Sequence, residues 1–162
     1  MKTIGNKATN AILAAAAVAL TVLCFASIAA PLRFDSAKTE REKAVKQRLM
    51  LIRAAEERWL KAEGRYCASL DTLVARGYMA DSLRYIPHSG GQVFELQTSV
   101  VVSPTGKAQS TMVCGARYET YLEGLDDNSI AEATASATAA GAYPGLRIGN
   151  LAALDGNAPN WR

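Results

Sequence analysis

The residues best able to do chemistry in this sequence are Cys67 and Cys114, which lie far apart along the chain. In an oxidising compartment they would form a disulfide, which stabilises a fold by about 4 kcal/mol for a loop of this length when chain entropy is considered. The disulfide is the state we expect. Two alternatives stay open, namely a pair of buried reduced thiols and a nucleophilic cysteine, although no recognised catalytic signature surrounds either residue.

The other polar motifs predict no reaction. His88 is the single histidine, and we expect a solvated loop residue beside Gly90 and Gly91 and not the base of a catalytic triad. No Gly-Lys-Ser/Thr follows the glycine pair, so a phosphate-binding loop is not indicated. The Asp-Asp-Asn run at residues 126–128 lacks the spaced glutamate of a calcium loop and is typical of a turn or helix cap. We therefore expect no catalytic residues, no metal site, no cofactor and no enzymatic activity.

Charge is unevenly distributed along the 162 residues, whose net charge is +3. Residues 33–65 hold ten Lys/Arg against six Asp/Glu, whereas residues 66–162 hold six against nine. A basic stem before a mildly acidic body is a poor profile for a nucleic-acid-binding protein, so no such partner is expected. The interspersed acidic residues of the stem favour a solvated helix face over binding to anionic lipid.

Residues 11–30 carry no charge and are numerous enough for a helix that spans about 30 Å, the thickness of a bilayer core. We expect a retained single-pass anchor that Pro31 ends or kinks, with the membrane as a partner through residues 11–30. The alternative is a signal peptide cleaved after Ala29. The count of basic residues alone would place the body in the cytoplasm. The interspersed acidic residues and the even cysteine pair favour an inner-membrane protein with its body in the periplasm or cell envelope.

Residues 35–63 contain no Gly or Pro and have a strong helix composition. The first part, to residue 44, is polar nearly all round and is predicted to be an exposed stalk. From residue 45 onward the helix has one continuous apolar stripe, which we predict to face the core: Val45, Leu49, Ile52 and Trp59.

The remaining sequence predicts short elements. Residues 69–76 favour a helix, residues 83–86 a short strand, and residues 119–125 a single helical turn. Partial alternation over residues 92–103 and 108–118, with a Pro-Thr-Gly-Lys turn between them, predicts a β-hairpin. Residues 131–142 are low in complexity and fit either a frayed helix or a loop. An edge strand at residues 146–148 and an irregular stretch at 157–162 complete the tail.

The order of these elements resembles the type IV pilins and the pseudopilins of type II secretion over roughly residues 11–118. Besides the apolar helix that runs into an amphipathic one, the motifs are Gly64-Arg65-Tyr66, Leu70-x-x-Leu73, Gly77-Tyr78, the Tyr-Ile-Pro at 85–87 and the glycine pair before the hairpin. The resemblance implies an α+β, pilin-like fold in which the second half of a long N-terminal helix packs on a small antiparallel sheet. The family's leader junction and its glutamate are absent before and within residues 11–30, so we expect that the leader peptidase does not process this chain.

Four parts follow from these patterns: a membrane anchor or uncleaved signal at 1–32, a stalk and amphipathic helix at 33–63, an α+β body with its hairpin at 64–125, and a low-complexity segment with the C-terminal tail at 126–162. The resemblance implies a structural or accessory subunit of a cell-envelope pilus or secretion assembly, with other pilin-like subunits as partners. The alternative is a monomeric anchored or secreted envelope domain that binds an unidentified ligand or partner.

Overall fold

The structure is a computed structural model that describes residues 6–103 and 106–161. Four helices and three strands are present in this part of the chain: α1 (Asn6–Glu63), α2 (Leu70–Ala75), β1 (Glu95–Val102), β2 (Ala108–Arg117), α3 (Tyr118–Tyr121), α4 (Asp127–Ala139) and β3 (Gly145–Gly149). The fold is therefore α+β, with a long N-terminal helix and a small antiparallel sheet. The chain divides into two compact units, Met1–Ala37 and Lys38–Arg162.

The first unit contains the beginning of α1. The stretch Ala8–Phe25 has a mean hydropathy of 2.1 and none of it is buried. A helix of this length and composition is compatible with the predicted anchor at residues 11–30, and a signal sequence has the same properties. The helix does not end at Pro31, since α1 continues to Glu63. Compartment and orientation stay predictions.

The second unit contains the rest of α1, and here the apolar stripe enters the core. Val45, Leu49 and Ile52 are completely buried, and Ala55 is buried beside them. Trp59 is only partly exposed, and its ring meets the ring of Tyr78 edge-on at a centroid distance of 5.1 Å. This edge-to-face arrangement places Trp59 at the border of the core, where the helix approaches its end.

The sheet has the order β1-β2-β3 and is antiparallel throughout. The predicted hairpin is present as β1 and β2, although residues 104–105 of its turn lie outside the described residues. The register aligns Leu96 with Cys114 and Cys114 with Ile148. Side chains alternate between the two faces of a strand, and one face of the sheet holds the buried apolar side chains. These are Met112, Cys114, Ala116, Leu146 and Ile148.

One predicted element differs from the structure. Residues 83–86 do not form a strand: a 3₁₀ turn occupies Asp81–Arg84, and Tyr85 then makes an isolated bridge to Val93. Arg84 stabilises this turn through ion pairs to Asp71 and Asp81, a contact that periodicity does not report. Of the two alternatives for the low-complexity segment, the helix is present at residues 131–139, which belong to α4. The Asp126 carboxylate caps this helix by accepting from the Ser129 amide at 2.8 Å.

The C-terminal tail is irregular, as predicted, but it is well bonded. The Gly149 amide donates to the Ala158 carbonyl, and the Asn160 amide donates to the Arg147 carbonyl, each at 3.0 Å. The Asn157 amide group also donates to the Tyr66 hydroxyl at 2.7 Å. These bonds connect the tail to β3 and to the loop after α1, so residues 157–160 belong to the body.

Candidate functional site

The two body cysteines are buried free thiols in the structure. No bond joins Cys67 to Cys114, so the predicted disulfide is not supported. The Cys67 thiol donates to the Ser69 carbonyl at 3.2 Å, whereas Cys114 lies on the buried face of the central strand. Burial raises the pKa of the Cys114 thiol well above its usual range, and the nearby carboxylates of Glu56 and Glu95 raise it further. A protonated, enclosed thiol is a poor nucleophile, so Cys114 is suited to packing.

Glu56 is a buried carboxyl group close to both body cysteines. Its side chain is completely buried. One carboxylate oxygen, Oε2, accepts a hydrogen bond from the Cys67 amide at 2.9 Å, and the other, Oε1, has no partner among the described residues. Burial raises the pKa of Glu56 to about 7, and the bond from Cys67 opposes this shift only in part. A carboxyl group in this state changes charge near neutral pH.

Sequence reasoning missed Glu56, although its spacing contained a signal. It follows Ile52 by four positions and Leu49 by seven, which puts it on the same helix face as the apolar stripe. A glutamate on the apolar face of a helix that packs on a body is expected to be buried and not part of the solvated surface. The buried carboxylate of Glu56 is tolerated because it accepts a hydrogen bond from the Cys67 amide, which lies in the loop that follows α1.

The arginines of α1 are used for bonding to the body. Four of them donate to backbone carbonyls that lie far away in the sequence: Arg41 to Tyr121 and Glu123, Arg48 to Ser82 and Tyr85, Arg53 to Gly156, and Arg58 to Tyr78. The two hydrogen bonds of Arg41 have lengths of 3.1 Å and 2.7 Å. Arg41, Arg48 and Arg53 are thus only partly exposed, whereas Arg58, Lys43 and Lys61 are exposed.

A small apolar surface remains on α1. Met50 is 42% exposed and Leu51 is 52% exposed, and both lie beside Lys46 and Gln47. They are the large apolar side chains that α1 leaves exposed among its described residues beyond 37. This Met50–Leu51 surface can contact another apolar surface, and it contains no group able to do chemistry.

The remaining sequence candidates do not come together into a site. His88 is exposed in a turn, where it has a positive φ of 64°, and Asp126 is occupied in capping α4. Within residues 6–103 and 106–161, no three His, Cys, Asp or Glu side chains are grouped so that they could hold a metal ion. The geometry therefore points to surfaces for contact and binding. Comparison of the chain with protein-family models, curated proteins and solved structures finds no match.

Proposed function

We propose that this protein is a membrane-anchored, pilin-like structural or accessory subunit of a cell-envelope pilus or secretion assembly. The observation that carries the proposal is that α1 combines two apolar features. Its stretch Ala8–Phe25 is unburied, whereas the apolar stripe farther along the helix is buried in an α+β body. The proposal places the anchor in the inner membrane and the body in the periplasm or cell envelope.

The Met50–Leu51 surface supports an assembly role. Both residues lie on the helix that carries the apolar stretch, and they face away from the buried stripe. When a partner covers a half-exposed apolar side chain, the association is stabilised by about 25 cal/mol for each Å² of apolar area that is buried. Pilin-like subunits are the partners that the resemblance implies.

Site-specific photocrosslinking in native membranes tests this proposal. A photoreactive amino acid replaces Leu51 in one variant and Lys61, which is exposed on the same helix, in the control. The expected result is a defined adduct from position 51, identified by mass spectrometry as a second copy of this chain or a pilin-like subunit, and none from position 61. Equal labelling from both positions, or lipid adducts alone, contradicts the proposal.

A second candidate function, a ligand-binding envelope domain, is favoured by a different observation. The outer face of the sheet contains a groove lined by charged side chains, and among the described residues these side chains form no ion pair with one another. Such a groove is independent of assembly, and a protein without subunit contacts could use it.

A further inference from the structure

The groove lies on the face of the sheet opposite to Met112 and Cys114 and encloses about 350 Å³. Alternation along the strands places Glu95, Gly115 and Arg147 on this outer face. Tyr143, in the loop before β3, and residues 150–152, which follow that strand, complete the walls. Its volume is at the lower end of the range for small-molecule sites, so a ligand of few atoms is the kind that fits.

Gly115 forms the floor of the groove. A Cβ at this position would lie 2.9 Å from the Leu146 carbonyl oxygen and 3.2 Å from the Tyr143 hydroxyl. A larger residue here would therefore require β3 to shift at Leu146, and the Tyr143 hydroxyl to move slightly as well. The glycine lets the tyrosine hydroxyl reach the backbone level of the sheet, at the centre of the groove.

Opposite charges stand on the two sides of this floor. The register aligns Glu95 of β1 with Gly115 and Gly115 with Arg147 of β3. Glu95 and Arg147 are thus two strand spacings apart, about 10 Å between their Cα atoms. Arg117 also lines the groove, at the end of β2. Within the described part of the chain, none of these three residues forms an ion pair.

Tyr143 orients the positive side of the groove. The Arg147 guanidinium lies over its ring at 5.5 Å from the centroid, which holds the guanidinium plane in place. The Tyr143 hydroxyl makes no hydrogen bond to a described residue. Burial raises the pKa of Tyr143 and the charge of Glu95 adds to that effect, while Arg117 and Arg147 oppose it only in part. The hydroxyl therefore keeps its proton and can donate a hydrogen bond to an anionic oxygen.

We propose that this groove binds a small zwitterion of the amino-acid class, with the carboxylate at Arg147, Arg117 and the Tyr143 hydroxyl and the ammonium group at Glu95. A guanidinium presents two parallel donors that match the two oxygens of a carboxylate. Glu95 would repel a simple anion, and the two arginines would repel a simple cation. The groove therefore selects a ligand that carries both charges a short distance apart. This inference does not depend on the assembly function.

Isothermal titration of the full chain in detergent with three probes of similar shape tests the proposal. Norleucine carries both charges, hexanoate lacks the ammonium group, and pentylamine lacks the carboxylate. Saturable binding of norleucine is expected, with hexanoate and pentylamine weaker by about tenfold or more, because each lacks one charge-assisted contact. The proposal is overturned if no probe binds saturably, or if hexanoate binds as tightly as norleucine.

Variants then locate the site. Arg147→Gln and, separately, Arg117→Gln are expected to weaken norleucine binding by about tenfold each, whereas Glu95→Gln should reduce the preference for norleucine over hexanoate. Arg76→Gln, at an exposed position at the end of α2, is the matched control and should bind as the parent chain does. Circular dichroism verifies that each variant is folded. Equal binding by the Arg147, Arg117 and Arg76 variants would place the ligand elsewhere and reject the groove.

Discussion

The clearest consequence of the structure concerns Glu56→Gln. In the native body the pKa of Glu56 is raised from 4.5 to about 7. As the pH rises from about 4.5, the unfolded chain ionises at this position while the native chain stays protonated. The native state therefore loses stability relative to the unfolded state over that window. At about 1.4 kcal/mol per pKa unit, the loss is about 3 kcal/mol by pH 7 and is constant above it.

Glutamine has nearly the same shape as the protonated acid and does not titrate. Its side-chain oxygen can still accept the bond from the Cys67 amide, which is 2.9 Å from the carboxylate in the parent chain. The free energies of unfolding of the variant and the parent should thus be equal within about 1 kcal/mol at pH 4. At pH 8 the variant should be more stable, by up to about 3 kcal/mol.

Urea denaturation of the full chain in detergent, followed by pulse proteolysis at several pH values, measures this difference. Glu57→Gln is the matched control, because Glu57 is adjacent in sequence but only partly buried, and it is paired with Arg53 at 2.8 Å. A partly exposed pair of this kind contributes within about 1 kcal/mol, so the control should follow the pH profile of the parent. If Glu56→Gln also follows that profile, or is less stable than the parent at pH 8, the carboxyl is not buried as described and the reasoning fails.

Three further predictions follow from the core, the thiols and the apolar stretch. Replacing Trp59 with Ala should destabilise the body by about 3 kcal/mol and replacing Lys61 with Ala by less than about 0.5 kcal/mol, so equal shifts of the urea midpoint would place Trp59 outside the packing. Cys67 and Cys114 should resist iodoacetamide in native buffer and both react in concentrated urea without reductant, as intact mass will report; failure to react in urea would show that they are bonded to each other. The protein extracted from membranes should retain Ala8–Phe25, and an N-terminal sequence beginning beyond this stretch would show a cleaved signal.

The apolar stripe and the hairpin could be predicted because their patterns are local and periodic. Three- and four-residue spacing places Val45, Leu49 and Ile52 on one face of a helix whatever the rest of the chain does. Glu56 belongs to the same spacing, but its effect depends on an amide donor eleven residues farther along, at Cys67. The outer groove could not be predicted for a similar reason, because Glu95 and Arg147 become neighbours of Gly115 only through the strand register.

The arginines of α1 show why a charge count misjudged the stem. A charge count does not distinguish Arg from Lys, and the mixed charges of the stem predicted a solvated helix face. A guanidinium has several donors in a planar fork, so one side chain can bond two carbonyl oxygens, as Arg41 does with those of Tyr121 and Glu123. Carbonyls at the ends of short helices lack partners within the helix, and α3 ends at Tyr121. The need for such donors arises from tertiary structure and is invisible in the composition.

This use of the arginines also limits how the protein can associate. With the stripe buried and four arginines bonded to carbonyls, Met50 and Leu51 are the large apolar side chains that the described part of α1 beyond residue 37 leaves for a partner. Two half-exposed side chains form a weak contact, and isolated exposed apolar residues are common on monomers. Anchoring in a membrane changes that balance, because confinement raises the effective concentration of neighbouring copies without any new contact. The assembly role therefore requires the apolar stretch and the Met50–Leu51 surface together, and a body released from the membrane should be monomeric.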